Sequence, residues 1–177
     1  MLPITIAIWD GGTTSIHEHL PWLQETLESG RTVLVLDVSG AGNITPLASN
    51  PRPLHDYKGF VKKLGEDLIG LGDSLAALRA YDVTRAVDAC AQGPEIDDKD
   101  VELLGHGRHS IYALLAGAVE SRINSLRADG GWEGFAQFVS TREYQYNDIT
   151  SVVIPGVLRH FDLPDLRRWV NNGANGG

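Results

Sequence analysis

Val101-Glu102-Leu103-Leu104-Gly105-His106-Gly107-Arg108-His109 reads as a strand that runs through a glycine turn into a helix. Val101 to Leu104 is a short apolar run, and Gly105-His106-Gly107 ends it. Ile111, Leu114, Leu115 and Val119 then carry the apolar face of a helix from about Arg108 to Ser121. Arg122 to Ala128 follows as a weaker strand. Strand, turn, helix and strand in that order predict a parallel β-α-β unit with a right-handed crossover.

The same alternation extends upstream. Ile4-Thr5-Ile6-Ala7-Ile8-Trp9 is rich in β-branched residues and closes at Asp10-Gly11-Gly12. His19 to Ser29 places Leu20, Leu23 and Leu27 at helical spacing, with Gly30 as the stop. Thr32 to Val38 has almost no polar/apolar alternation, which predicts a strand covered on both faces. Ser39 to Pro53 is a long glycine- and proline-containing loop. Tyr57 to Ala91 is helical with a break near Gly70-Leu71-Gly72; Ala76, Leu78, Tyr81, Val83, Ala86 and Val87 form the apolar face of its second part. Pro94 to Asp100 reads as an acidic surface loop.

Downstream, helical segments are expected over Trp132–Val139 and around Val152–Leu158. Asp162 is placed to cap a last helix from Pro164 to about Val170, with Asp165 completing an Asp variant of the capping box. Asn171 to Gly177 reads as a flexible Gly/Asn tail. The expectation is a single α/β domain over residues 1–170. It is a three-layer sandwich whose short, mostly parallel sheet of about four strands has helices on both faces.

Composition sets the outer limits. The 177 residues suit one domain, and 42% apolar content suits a buried core. Fifteen Lys and Arg against 23 Asp and Glu leave a net charge of -8, which argues against nucleic acid and anionic membrane surfaces as partners. No apolar run is long enough to cross a bilayer, and the first residues lack a basic leader, so a cytoplasmic location is the default expectation. Cys90 is the only cysteine, which excludes an internal disulfide and any zinc site built on several cysteines; on its amphipathic helix it reads as a core thiol. His17-Glu18-His19 has metal-ligand residue types but lies in a loop, and Glu95 to Asp100 lacks calcium-loop spacing. No metal or cofactor is expected.

Several stretches resemble the α/β-hydrolase superfamily. Ile6 to Gly12 looks like its third strand and oxyanion loop. Val33 to Gly42 resembles the next strand and an Asp-x-x-Gly-x-Gly loop, and Val101 to His109 sits where the nucleophile elbow belongs. Leu78 to Asp88 looks like the helix before the elbow in acetyl-xylan-esterase-like and prolyl-oligopeptidase-like hydrolases. Ile154-Pro155-Gly156-Val157-Leu158-Arg159-His160-Phe161-Asp162-Leu163-Pro164-Asp165-Leu166 is similar to a segment of the carbohydrate-esterase branch. The resemblance implies a sheet with the second strand at one edge, then the first, third and fourth. It also implies that the family's first two and last two strands are missing.

A working elbow reads Gly-x-Ser-x-Gly. Here the frame is Gly105-His106-Gly107-Arg108-His109, so the nucleophile position has no side chain and cannot form an acyl-enzyme. Ser110 is the alternative nucleophile, beside His106 and His109; otherwise it hydrogen-bonds within its own helix. His160 and Asp162 are the late candidates for base and acid, and Asp162 has the competing role of a cap. The backbones of Asp10-Gly11-Gly12 and Gly105-His106-Gly107 are candidate oxyanion or anion-binding groups.

The resulting expectation is a domain derived from an acetyl-xylan esterase, lacking a working Ser-His-Asp triad. It would act as a non-catalytic half or as a binding or scaffold domain. The alternative is an active carboxylic-ester hydrolase for a small acylated carbohydrate, using Ser110 or residues supplied by another chain. Another hydrolase domain, or a second copy joined through an exposed strand edge, is the expected partner.

Overall fold

The computed structural model describes residues 1–46, 59–141 and 149–173. The later part of the predicted 39–53 loop, the first residues of the predicted 57–91 helical stretch and the end of the tail lie outside them. Four strands form one sheet in the order β2-β1-β3-β4: β1 is Leu2–Ile8, β2 Thr32–Val35, β3 Ile96–His106 and β4 Ile123–Asp129. Every adjacent pair is parallel. The helices are α1 Leu20–Glu28, α2 Phe60–Gly70, α3 Leu75–Ala91, α4 His109–Val119, α5 Phe135–Ser140 and α6 Leu163–Gly173. The strand order is the one the resemblance implies.

Strand alternation divides the core in two. Ile4, Ile6 and Ile8 of β1, with Val101 and Leu103 of β3, pack on one face against Ala76, Ala80 and Val83 of α3 and Ile111 and Leu114 of α4. Leu163 and Leu166 dock α6 into the same core. Ala7, Trp9 and Leu104 point to the opposite face and meet Leu23 of α1. Helices therefore lie on both faces, unequally. Where α1 does not reach, the second face is polar: Thr5 Oγ1 donates to Glu102 Oε2 at 2.9 Å, and Arg31 Nε donates to Thr5 Oγ1 at 2.9 Å. Ser125 and Arg127 continue that face on β4, opposite Glu102 and Leu104.

Local signals place the helix ends. The Ser74 side chain accepts from Ala77 N at 3.0 Å and caps α3. The break before it falls at Leu71-Gly72, with Gly72 left-handed at φ 80°. Asp162 N donates to Asp165 Oδ2 at 2.8 Å, the reciprocal half of the expected capping box.

Three expectations are corrected. Ile96–Asp100 belongs to β3 and is not a surface loop: Leu2 pairs with Ile96, the register then shifts, and Ile4 pairs with Val101. Backbone pairing makes this segment a strand, and its acidic side chains conceal that from a hydropathy pattern. Val152–Leu158 is not a helix. Pro155 lacks an N–H and Gly156 is left-handed at φ 73°, so the chain turns there and keeps only a 3-10 turn over Val157–Arg159. The last helix continues beyond Val170 to Gly173, so Asn171 is helical and not tail.

Candidate functional site

The C-terminal ends of β1, β2 and β3 bring three glycine-rich loops together, the position at which open parallel sheets present ligands. The Asp10-Gly11-Gly12 turn leaves β1 with both glycines left-handed, at φ 77° and 49°. Trp9 Nε1 donates to Gly12 O at 2.9 Å and holds it from beneath. Asp37, just past β2, ties this turn to the neighbouring loop. Its carboxylate accepts from Thr13 N at 2.7 Å, from Thr13 Oγ1 at 2.5 Å and from Asn43 N at 3.0 Å. A Cβ on Gly12 or Gly42 would fall 1.9 or 2.0 Å from Asp37 Oδ1, so both positions require glycine. Partial burial works against the Asp37 charge, but the bonds from Thr13 and Asn43 outweigh it and hold its carboxyl below the usual range.

The β3–α4 turn is the third loop. Gly107 is left-handed at φ 61°, and a Cβ built on it meets nothing within 4 Å. Its N–H donates to Asp129 O at 2.8 Å. Gly130-Gly131, left-handed at φ 71° and 84°, packs against the turn so closely that a Cβ on Gly131 would fall 2.5 Å from Gly107 O and from Ser110 Oγ. Ser110 is 1% exposed, and its Oγ donates to Gly130 O at 3.3 Å. The Gly130-Gly131 contribution was not anticipated from the sequence.

His109 begins α4 and is 2% exposed. Its Nδ1 lies 3.8 Å from Asp10 Oδ1, its ring stands edge-on to Tyr112, and neither ring nitrogen has a hydrogen-bond partner among the described residues. Burial, first of all, lowers its pKa from the ordinary 6.5 to about 3; Asp10 opposes that, while Arg79, Arg108 and His106 add to it. Arg108 clamps Asp10, with Nη2 at 2.7 Å and Nε at 2.9 Å from Oδ1.

These loops enclose a cavity of about 340 Å³ whose walls include Asp10, Gly40, Lys62, Arg79, Arg108 and His109. Lys62 and Arg79 had not been anticipated as site residues. A charge at Arg79, on the apolar face that Ala76 and Val83 define, was the available signal.

The remaining candidates lie apart from this chemistry. The Asp162 carboxylate accepts from Phe135 N and Ala136 N at the start of α5 and from Leu163 N of α6. A Cβ on Gly134 would fall 2.9 Å from Asp162 Oδ2. Asp162 is thus occupied as a cap for two helices. His160 is exposed beyond the 157–159 turn. No hydrogen bond or ion pair among the described residues joins Ser110, His160 and Asp162. Of the proposed anion donors, Gly12 N donates to Trp9 O at 3.1 Å and Gly107 N is engaged with Asp129 O. Those two amides are therefore not available to an oxyanion. Gly105 is part of β3, and His106 is exposed, edge-on to His19. His19 itself stacks on Trp9 at 4.1 Å. Among the described residues no group of three or more His, Cys, Asp or Glu side chains is placed to hold a metal ion. Burial raises the pKa of the Cys90 thiol.

Among solved structures, a protein assigned as an acetyl xylan esterase from Bacteroides fragilis superposes with a TM-score of 0.70 at 12% identity, over 96% of this chain and 49% of that one. The fold is that of an α/β-hydrolase. An acetyl xylan esterase from Paenibacillus sp. R4 shares this α/β-hydrolase fold at a TM-score of 0.55 and 19% identity, over 98% of this chain and 52% of its own. The 2,6-dihydroxy-pseudo-oxynicotine hydrolase aligns at 0.57 and 16%, over 98% and 40%. The chain thus spans about half the length, or less, of the α/β-hydrolases it resembles. No protein-family model matches the chain, and no curated protein matches its sequence.

Proposed function

We propose that this chain is a non-catalytic α/β-hydrolase domain of acetyl-xylan-esterase descent that works by binding. One observation carries the reading: Gly107 occupies the turn between β3 and α4 in a left-handed conformation, with open space where a nucleophile's side chain would stand. Ser110 does not substitute for it. Its hydroxyl is buried and bonded to Gly130 O, so it reaches neither substrate nor base.

The test is hydrolysis of p-nitrophenyl acetate by the chain, by Ser110→Ala and by Gly107→Ser. All three are expected at the buffer rate. Gly107→Ser folds at a cost of about 1–2 kcal/mol for a side chain at positive φ. It stays inactive because His109, two residues on, is buried, and the exposed His106 beside it is joined to no carboxylate among the described residues that would orient it as a base. Activity in the unmodified chain that disappears in Ser110→Ala overturns the reading in favour of an active ester hydrolase.

The open edges of β2 and β4 support the second half of this proposal, a partner that is another hydrolase domain or a second copy. Light scattering over a wide concentration range distinguishes them. A mass rising from 19.2 kDa toward twice that value supports the second copy, and a constant 19.2 kDa rules it out.

A further inference from the structure

The cavity at the ends of β1 and β2 contains a buried cation that has no counter-charge among the described residues. Arg79 is 4% exposed. Its Nε donates to Ser39 O at 2.9 Å and its Nη1 to Tyr112 Oη at 2.8 Å, both neutral acceptors. Tyr112 Oη itself donates to Ser151 O at 3.0 Å, so this acceptor is fixed in place. Among the described residues no carboxylate stands within 4 Å of the guanidinium, and Nη2 makes no hydrogen bond. Charges removed from water are ordinarily paired, because the desolvation penalty otherwise goes unanswered.

Two features show where the missing partner belongs. Gly40 faces the guanidinium: a Cβ there would lie 3.8 Å from Arg79 Nη2 and 3.1 Å from Val61, so glycine keeps the space beside the free arm open. His109, which also lines the cavity, is 2% exposed with both ring nitrogens lacking a hydrogen-bond partner among the described residues. Two buried polar side chains with unmet hydrogen-bonding capacity thus line one cavity of about 340 Å³, within the range of small-molecule sites.

We propose that this cavity binds a small hydroxylated monocarboxylate, with its carboxylate on Arg79. A guanidinium presents parallel N–H donors that match a carboxylate edge. One negative charge answers the cation of Arg79, which has no carboxylate partner among the described residues. A dianion would also meet the Asp10 carboxylate, which lines the same cavity. Thr14, Thr45 and Thr150 add hydroxyls to the lining, which suits a ligand with hydroxyl groups of its own. The proposal deepens the binding reading and rests on it. The two fail separately: esterase activity would sink the non-catalytic reading whether or not carboxylates bind, and absent binding would sink this one alone.

The experiment is calorimetric titration of the whole chain with lactate, glycerate and gluconate, beside sorbitol and inorganic phosphate. At least one carboxylate is expected to bind saturably, sorbitol is expected not to bind, and phosphate is expected to bind more weakly. Arg79→Gln should weaken the carboxylate by at least about tenfold, the usual effect of losing a charge-assisted hydrogen bond. Because Arg79 also holds Ser39 and Tyr112, a second variant guards against misfolding. Thr45→Trp blocks the exposed rim and should weaken binding with the melting temperature unchanged. The site is overturned if none of the three carboxylates binds, if sorbitol binds equally well, if phosphate binds tighter than all three, or if both variants bind like the original chain.

Discussion

Gly105→Ala is expected to lower stability by about 3 kcal/mol or more, at the upper end of what one overpacked methyl costs. A Cβ at Gly105 would lie 2.6 Å from Ala113 Cβ, 2.8 Å from His109 O and 2.8 Å from Ser110 Cα. Two of these atoms are backbone at the start of α4, so no rotamer change relieves the clash; α4 itself must move off β3. Gly107, two residues on, is the control. Its added Cβ meets nothing within 4 Å, and Gly107→Ala bears only the left-handed backbone cost of about 1–2 kcal/mol. Urea unfolding separates the two. With a slope of about 1–3 kcal/mol per molar, the Gly105 variant should lose about 1 M or more of its midpoint, and clearly more than the Gly107 variant. Ala113→Gly should rescue only part of the loss, since both backbone contacts remain. Equal midpoints for the two variants would mean that the close approach of strand and helix does not set the stability of this turn.

That close approach explains why the β3–α4 unit was legible in the sequence. A glycine that lets a helix sit on a strand end, followed by a second glycine in a left-handed turn, leaves a mark that apolar periodicity does not blur. The same holds for β1, whose Ile4 to Ile8 run is buried from both sides, whereas β2, expected to be covered on both faces, is an edge strand whose Thr32–Val35 are all only half-buried. Legibility failed where backbone pairing runs beneath charged side chains, as at Asp97 to Asp100. It failed again at Val152 to Leu158, where apolar residues are buried without regular hydrogen bonding. Asn171 suggested a tail, but Leu163 and Leu166 anchor α6 firmly enough that weak helix formers extend it.

The site was only half legible. Gly107 and the Asp162 cap of α6 were visible because each depends on residues within a few positions, whereas the Asp162 cap of α5 spans residues far apart in sequence. Arg79 was not, because its burial against Ser39 and Tyr112, with no carboxylate beside it among the described residues, arises only from contacts between residues far apart in sequence. Asp37 was seen as part of a loop pattern. Its task of holding Thr13 and Asn43 together emerges only when β1 and β2 lie side by side. The glycines at 12 and 42 follow from that carboxylate, so the loop pattern around Asp37 has a steric cause.

His109 should make the domain acid-sensitive well above the pH at which carboxylates matter. Its folded pKa is about 3 against an ordinary 6.5, so between those values the unfolded chain holds a proton that the folded one refuses. Stability is complete above about pH 6.5 and falls as the pH drops toward 3; at about pH 5 the loss from this one group is about 2 kcal/mol. Asp37 has its folded pKa depressed and loses its contribution only below its ordinary 3.8, which leaves a window for the histidine alone among these two. His19, also lowered, titrates in the same direction but is common to any pair of proteins that differ only at 109. His109→Phe keeps a ring beside Tyr112 and removes the titration. The drop in unfolding free energy between about pH 7.5 and pH 5 should therefore shrink by about 2 kcal/mol in the variant. An unchanged drop would show that the imidazole takes up its proton in place, with Asp10, 3.8 Å away, as counter-ion. The cavity wall would then gain a positive charge in mild acid, and carboxylate binding should tighten over the same range in the original chain but not in His109→Phe.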